Sequence, residues 1–373
     1  GALSSVAAPQ LGATAISGAL EEAGVKPEQV SETIMGCVLP AGVGQAPARQ
    51  AAKAAGIPDS TPAMTINKVC GSGMKALMLA SQSLQLGDSD IVVAGGMENM
   101  SQSPYLLSGA RGGLRMGNQP FIDSMVHDGL WDPYNDQHMG NCAELCAREK
   151  GFTREAQDAY ATESFKRAQK SWEAGKFNNE VVPVTVKGRK GDTVVDRDEG
   201  PWKVKFEKIP TLRPAFDKEG SVTAANASTI NDGACAMVLT TADKAKELGL
   251  KPLATIKSYS TYAHQPEWFT TAPTGAMNGA LEKAGWKSDE VDLFEVNEAF
   301  AVVAMSAQND LKIPHEKLNI FGGAISLGHP IGASGARIVA TLLTALQDTG
   351  KKKGCAGICI GGGEATSICL ELA

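Results

Sequence analysis

Two hydrophobic periods run through this chain. In GALEEAGVKPEQV, from Gly18 to Val30, the apolar residues fall at helical spacing, Gly24 stops them, and a turn rich in Lys and acids follows. GALEKAGWKSDEV, from Gly279 to Val291, repeats the pattern with eight of thirteen positions identical, at an offset of 279 − 18 = 261. Ser72-Gly73 before one long helical run matches Ser334-Gly335 before another, offset 262. IVVAGGME, ending at Glu98, resembles ICIGGGE, ending at Glu364, offset 266, and the slack fits a solvated turn at Lys351-Lys352-Lys353. Matches in one order and nearly one register predict two copies of one α/β unit.

Within each copy, helical runs alternate with short apolar or β-branched segments such as Ile91-Val92-Val93, which predicts mostly parallel sheets covered by helices. The second copy has PLATIKSYS as a strand ahead of its helix. The first copy begins almost at the helix, so its first strand is expected to be missing from this chain. The intervening region is more polar and contains HMGNCAELCAREKGFTREAQDAYATESFKRAQKSW, helical by pattern. The predicted organisation is an N-terminal half over residues 1–100 plus 231–251, an inserted loop domain over 101–230, and a C-terminal half over 252–373.

Composition narrows the function. The 373 residues allow two or three domains, and 43% hydrophobic content is ample for a core. A net charge of -6 argues against a general nucleic-acid binder. No apolar run reaches the length of a membrane span. The eight cysteines include no CxxC pair and have no clustered histidines, so neither a metal site nor a disulfide framework is predicted, and a reducing compartment is. From Lys187 to Lys218 there are nine Lys/Arg against six Asp/Glu; a solvated surface and a seat for a phosphorylated ligand are both open readings.

The chemistry concentrates in NKVCGSGMKALMLASQSL, residues 67–84, where Cys70 stands between a short segment and a helix. The stretch allows three readings. It could hold a buried turn cysteine. Gly71, Gly73 and Ala76 also form a GxGxxA dinucleotide fingerprint, with Asp88 and Asp90 as ribose-binding acids, although the segment Thr65-Ile66-Asn67-Lys68 is polar for its supporting strand. The third reading is a nucleophile exposed by the sharp bend, whose thiolate is favoured by N–H groups at the helix start, with glycines admitting an acyl chain. His329, in GGAISLGHPIGASGAR, occupies the corresponding turn of the second copy. A pseudo-two-fold would bring the turns together, and a Cys–His pair activates a thiol. Cys359 in CIGGGEA follows a strand and precedes Gly361 to Gly363, whose N–H groups could face an oxyanion. Asn297 in NEAFA is a helix N-cap or a functional amide.

NKVCGSGMKA, GGMENMS, NEAFA, GGAISLGHPIGASGAR and CIGGG, in that order, closely resemble five signatures of the thiolase family, over essentially the whole chain. The resemblance is strongest to the short-chain members. It implies a five-layer αβαβα arrangement of two duplicated halves with an inserted loop domain. The implied reaction is a reversible, ping-pong Claisen condensation of two acetyl-CoA to acetoacetyl-CoA and CoA. By the same resemblance Cys70 takes up the acyl group, His329 activates it, Cys359 is the acid/base at the α-carbon, and Asn297 holds a water. The N–H groups of Cys70 and Gly361 form an oxyanion hole. His138, Met139, Phe269 and Phe300 match acyl and pantetheine pocket positions, Ser228 a pantetheine contact, and Lys203 and Lys208 the segment that meets the CoA nucleotide.

Two positions depart from the pattern. Ala365 stands where many members carry Gly, and Phe165 where potassium-activated relatives carry Tyr. No bound cation is therefore expected, although the carbonyls of Ala224, Ala225, Ala227 and Ile325 could supply ligands. No cofactor beyond the CoA thioesters is implied. A homotetramer built as a dimer of dimers is expected, in the cytoplasm or, after presequence removal, the mitochondrial matrix. Two alternatives are a 3-ketoacyl-CoA thiolase of broader chain length and a non-catalytic acyl-CoA-binding relative.

Overall fold

The computed structural model describes residues 1–373. The first sheet contains β1 (Glu32–Gly36), β2 (Ala63–Ile66), β3 (Ile91–Asn99) and β4 (Asp232–Thr240), in the order β4-β3-β1-β2. The second contains β5 (Ala254–Ala263), β6 (Leu293–Val296), β7 (Lys353–Ile360) and β8 (Glu364–Leu372), in the order β5-β8-β7-β6. The pairs β1–β2, β1–β3 and β6–β7 are parallel. The pairs β3–β4, β5–β8 and β7–β8 are antiparallel, so the sheets are mixed where mostly parallel ones were predicted. The cause at β7–β8 is the three-residue turn Gly361–Gly363, too short for a crossover helix.

Helices α1 (Ala8–Ala23) and α2 (Pro47–Ala54) cover the outer face of the first sheet, and α3 (Ser72–Leu86) covers its inner face. The region between the halves carries α4 (Met139–Lys150), α5 (Arg154–Glu173) and three two-stranded hairpins. In the second half, α6 (Ala272–Ala284) lies outside the sheet, α7 (Ala301–Asp310) packs beside α4 and α5, and α8 (Ile331–Thr349) lies inside against both sheets. The stack is therefore helix, sheet, helix pair, sheet, helix. The duplicated sequence shows in the helix ends. Gly24 ends α1 at φ 65° and Gly285 ends α6 at φ 70°, with Val25 N–H closing on the Leu20 carbonyl and Trp286 N–H on that of Leu281. No helix is long and apolar enough to cross a membrane.

The middle layer holds the halves together. Met74 and Leu77 of α3, Ile338 and Leu342 of α8, and Ile358 and Ile368 of the second sheet form one buried apolar cluster. The two helices approach at backbone distance because glycines meet there. A Cβ on Gly335 would lie 2.5 Å from the Met74 nitrogen, and one on Gly73 2.8 Å from the Ala336 nitrogen. A Cβ on Gly36 would lie 2.8 Å from the Gly332 carbonyl oxygen. Lys68 and Glu364 add an ion pair between the halves. At the outer edge of the first sheet, β4 is half-buried throughout and lines a cavity of about 1910 Å³. The place that β5 fills beside β8 has no strand beside β4.

Overpacking a tight interior typically costs about 1–3 kcal/mol, and backbone neighbours cannot rotate away. Gly335→Ala is expected to lower unfolding stability by at least that much, read from the urea midpoint. An unchanged midpoint would show that the helices are free to separate.

Candidate active site

The sharp turn before α3 presents Cys70. Val69 is held at φ 45°, a left-handed conformation that a β-branched residue avoids. Ser72 holds the turn in place: its Oγ accepts the Lys68 N–H at 2.8 Å and donates to the Val69 carbonyl at 2.6 Å. Cys70 remains partly open, and its sulfur faces two backbone N–H groups, that of Gly361 and its own. Gly361 opens the turn between β7 and β8, immediately beyond the strand that carries the fully buried Cys359. The turns meet because Gly71 packs on Ile360, where any side chain would collide.

His329 precedes α8. Its N–H donates to Asn231 Oδ1 at 3.0 Å, and its Nδ1 lies 2.6 Å from Ser334 Oγ. Its Nε2 is buried with no partner. Ile331, two residues on, belongs to the apolar cluster against which Cys70 packs. Asn297 follows β6, with its N–H on the Gly357 carbonyl at 3.0 Å, while its amide oxygen and nitrogen are both buried and unpaired. Native interiors rarely leave such atoms unmatched. The Asn297 amide and the His329 Nε2 are therefore unsaturated groups ready for a ligand or water.

Both catalytic candidates are uncharged at rest. Burial pushes the Cys70 thiol up to about 11, against the lowering effect of the Gly361 and Cys70 N–H groups. The helix-start N–H groups were expected to favour a thiolate; the N–H groups that act in that direction are those of Gly361, in the β7–β8 turn, and of Cys70 itself, and burial outweighs them. Burial, with the charge of Arg337 adding to it, pushes His329 down to about 3. Burial also raises Cys359 well above the ordinary thiol range, and a charge on Cys70 raises it further.

Around these groups, His138 stacks on Phe216 at 4.8 Å, Phe216 meets Phe300 at 6.0 Å, and Phe300 meets Phe269 at 6.3 Å. Met139 sits beside Gly361. Ser228 is half-buried next to Phe300 through the bridge between Ala227 and Phe300. Lys203 pairs with Glu199 at 3.0 Å, and both Lys203 and Lys208 are exposed and line the cavity beside β4. Elsewhere in the basic stretch Lys187 pairs with Asp192 at 2.6 Å and Arg197 lies over Trp202, so part of its charge is matched locally.

Several supporting residues escaped the sequence reading. Buried Glu98 accepts the N–H groups of Val38, Leu39 and Gly332 at 2.9, 3.1 and 2.9 Å, tying the start of α8 to the first half. Burial pushes its carboxyl up to about 7 even so. Glu298 accepts from Tyr160, Ser164, Asn319 and the Ile325 N–H, fastening α5 to the segment before His329. Phe216, Asn231 and Ser334 complete the set. Glu98 and Ser334 were visible only as repeat markers, and nothing in sequence spacing singles out Phe216 or Asn231.

Two duplicated α/β halves bring the Cys70 turn against the Gly361 turn that follows Cys359, an arrangement fit for acyl transfer. The family description "Thiolase, N-terminal domain" matches residues 1–243 and "Thiolase, C-terminal domain" residues 250–372. The chain belongs to the thiolase family. It is 52% identical over 373 residues to an acetyl-CoA acetyltransferase of Cupriavidus necator, covering 100% of this chain and 95% of that one. It is 54% identical to acetyl-CoA acetyltransferase 2 of Arabidopsis thaliana, covering 100% and 93%. The crystal structure of the Bacillus anthracis acetyl-CoA acetyltransferase superposes with a TM-score of 0.97 at 40% identity, over 100% of this chain and 95% of that one.

The thiolate is the form that alkylates. With the thiol near 11, its thiolate fraction rises about tenfold per pH unit below that value. The iodoacetamide rate at Cys70, followed by peptide mass spectrometry, is therefore expected to climb with unit logarithmic slope from pH 7 to 10. A plateau below pH 8.5 would instead reveal a thiolate already formed at rest.

Proposed function

We propose that this thiolase is an acetyl-CoA C-acetyltransferase, which joins two acetyl-CoA into acetoacetyl-CoA and CoA and also runs in reverse. The observation that carries the reading is the Cys70 sulfur set against the N–H groups of Cys70 and Gly361, in the turn that follows Cys359. In the first half-reaction the sulfur attacks the acetyl carbonyl while its proton passes to His329 Nε2. The oxyanion formed rests on the two N–H groups, each worth about 3 kcal/mol where such donors have been removed. The C–S bond to CoA breaks, and CoA leaves with the proton of Cys359. Acetyl-Cys70, a Cys359 thiolate and a His329 imidazolium remain.

The second half-reaction uses that pair. Cys359 removes an α-proton from the second acetyl-CoA. The enolate oxygen is held by His329 Nε2–H and by a water on the Asn297 amide. The carbanion attacks acetyl-Cys70, a C–C bond forms, and the departing Cys70 sulfur regains its proton from His329. Every proton is then back in place. The proton balance orders the two steps: Cys359, whose thiol burial holds well above the ordinary range, becomes a base only by giving its proton to the departing CoA, in the step that acylates Cys70.

The ring chain His138–Phe216–Phe300–Phe269 supports a short acyl pocket. Exposed Leu114, Met116 and Phe121 between the halves support assembly of several copies.

Labelled acetyl-CoA is expected to leave its acetyl group on Cys70. Cys70→Ala is expected to abolish the label, and Cys359→Ala to cut acetoacetyl-CoA formation by about 10²–10⁴-fold, as loss of an acid/base group does. Condensation by Cys70→Ala would sink the reading. Turnover in the thiolytic direction is expected to fall with acyl length; equal rates on long chains would favour the broader 3-ketoacyl-CoA enzyme.

A further inference from the structure

We propose that Ser334 is a positioning residue that holds the His329 imidazolium through the life of the acyl-enzyme, an inference that rests on the acetyltransferase reading above. Once His329 carries the Cys70 proton on Nε2, its Nδ1 also bears hydrogen and needs an acceptor. Ser334 Oγ lies 2.6 Å from Nδ1, and its own hydrogen goes to the Pro330 carbonyl at 2.9 Å. The hydroxyl can therefore accept from Nδ1–H without giving up its own partner. The opposite ring nitrogen, Nε2, has no partner and is left for the reacting proton.

The duplication supplies an independent argument. Ser72 and Ser334 are related by the repeat offset 334 − 72 = 262. Each donates to a carbonyl of the turn before its helix, Ser72 to Val69 and Ser334 to Pro330, and each accepts from a group just upstream. For Ser72 that group is the Lys68 N–H, which shapes the Cys70 turn; for Ser334 it is the imidazole. A serine that merely bonds back to its own helix, as helical serines often do, needs no such second partner. The same hydroxyl thus sets the nucleophile turn in one half and the base in the other.

A hydroxyl in this place also differs from a carboxylate. It accepts the Nδ1 hydrogen but adds no negative charge, and the charge that acts on the ring is the Arg337 cation. The proton is thereby held in the acyl-enzyme and still released easily to the departing Cys70 sulfur.

The test is a double-mutant cycle on acylation, measured as labelled acetyl transfer to the enzyme by rapid quench. Ser334→Ala is expected to slow acylation by about 10–100-fold, the usual effect of removing a partner that orients a functional histidine, with KM for acetyl-CoA within about twofold. Ser334→Thr is expected to restore the rate to within about threefold. Added to His329→Ala, Ser334→Ala is expected to cost nothing more, because its effect runs through the imidazole. Multiplying losses, or equal losses in the Ala and Thr variants, would overturn the proposal. Should alanine not fold, Ser334→Cys, of similar size and weak hydrogen bonding, is read in the same cycle against the same outcomes. An unimpaired His329→Ala enzyme would instead overturn the reading on which the proposal rests, so the two failures are distinct.

Discussion

The molecule depends on one close approach, that of α3 and α8 at backbone distance in the middle layer. Cys70 sits in the turn that feeds α3, and His329 just before α8, so the spacing of these helices sets the spacing of the proposed nucleophile and base. Glycine alone permits it, since Gly73 and Gly335 face backbone nitrogen atoms and Gly36 and Gly96 face the Gly332 carbonyl. Glu98 then fixes the rotation by taking the Gly332 N–H together with two N–H groups of the first half. A carboxylate buried this deeply is costly, and it is retained with three charge-assisted hydrogen bonds.

This packing decides the electrostatics of the site. Burial around the two turns works against charge on either Cys70 or His329. The result is a thiol and an imidazole that are both uncharged at rest. In the proposed reaction, ionisation is postponed until a substrate supplies a carbonyl to attack. In the proposed reaction the two N–H groups at the sulfur serve the oxyanion of the transition state more than they serve the resting thiol, which is where preorganised donors act most strongly.

Much of this was legible in the sequence, for physical reasons. Gly24 and Gly285 betray their helix ends because a left-handed cap favours glycine, and the matched offset exposes the duplication. Cys70, Cys359 and His329 stand out because reactive side chains among glycines are conspicuous. The direction of the Cys70 shift was not legible. Local sequence displays the helix-start N–H groups, whereas burial comes from Ile360 and Ile331, 360 − 70 = 290 and 331 − 70 = 261 residues further along the chain. The antiparallel members of the sheets were hidden for a similar reason, since period alone does not reveal that Gly361–Gly363 reverses the chain. Glu98 and Ser334 looked like repeat markers because their partners lie in the other half or in a folded turn.

The duplicated frame also explains why neither half suffices. At the offset of 262, Cys70 corresponds to Gly332 and His329 to Asn67, so each half has the proposed nucleophile or the proposed base and never both. Where the first half has its thiol, the second has the glycine whose carbonyl and N–H form the interface with Gly36 and Glu98. Where the second half has its imidazole, the first has Asn67, whose Oδ1 takes the Val69 N–H and so supports the strained residue before the thiol. One ancestral turn geometry has thus been put to two uses, bearing chemistry in one copy and bearing load in the other. The proposed reaction therefore needs both copies in register, which ties it to the glycine contact between the helices.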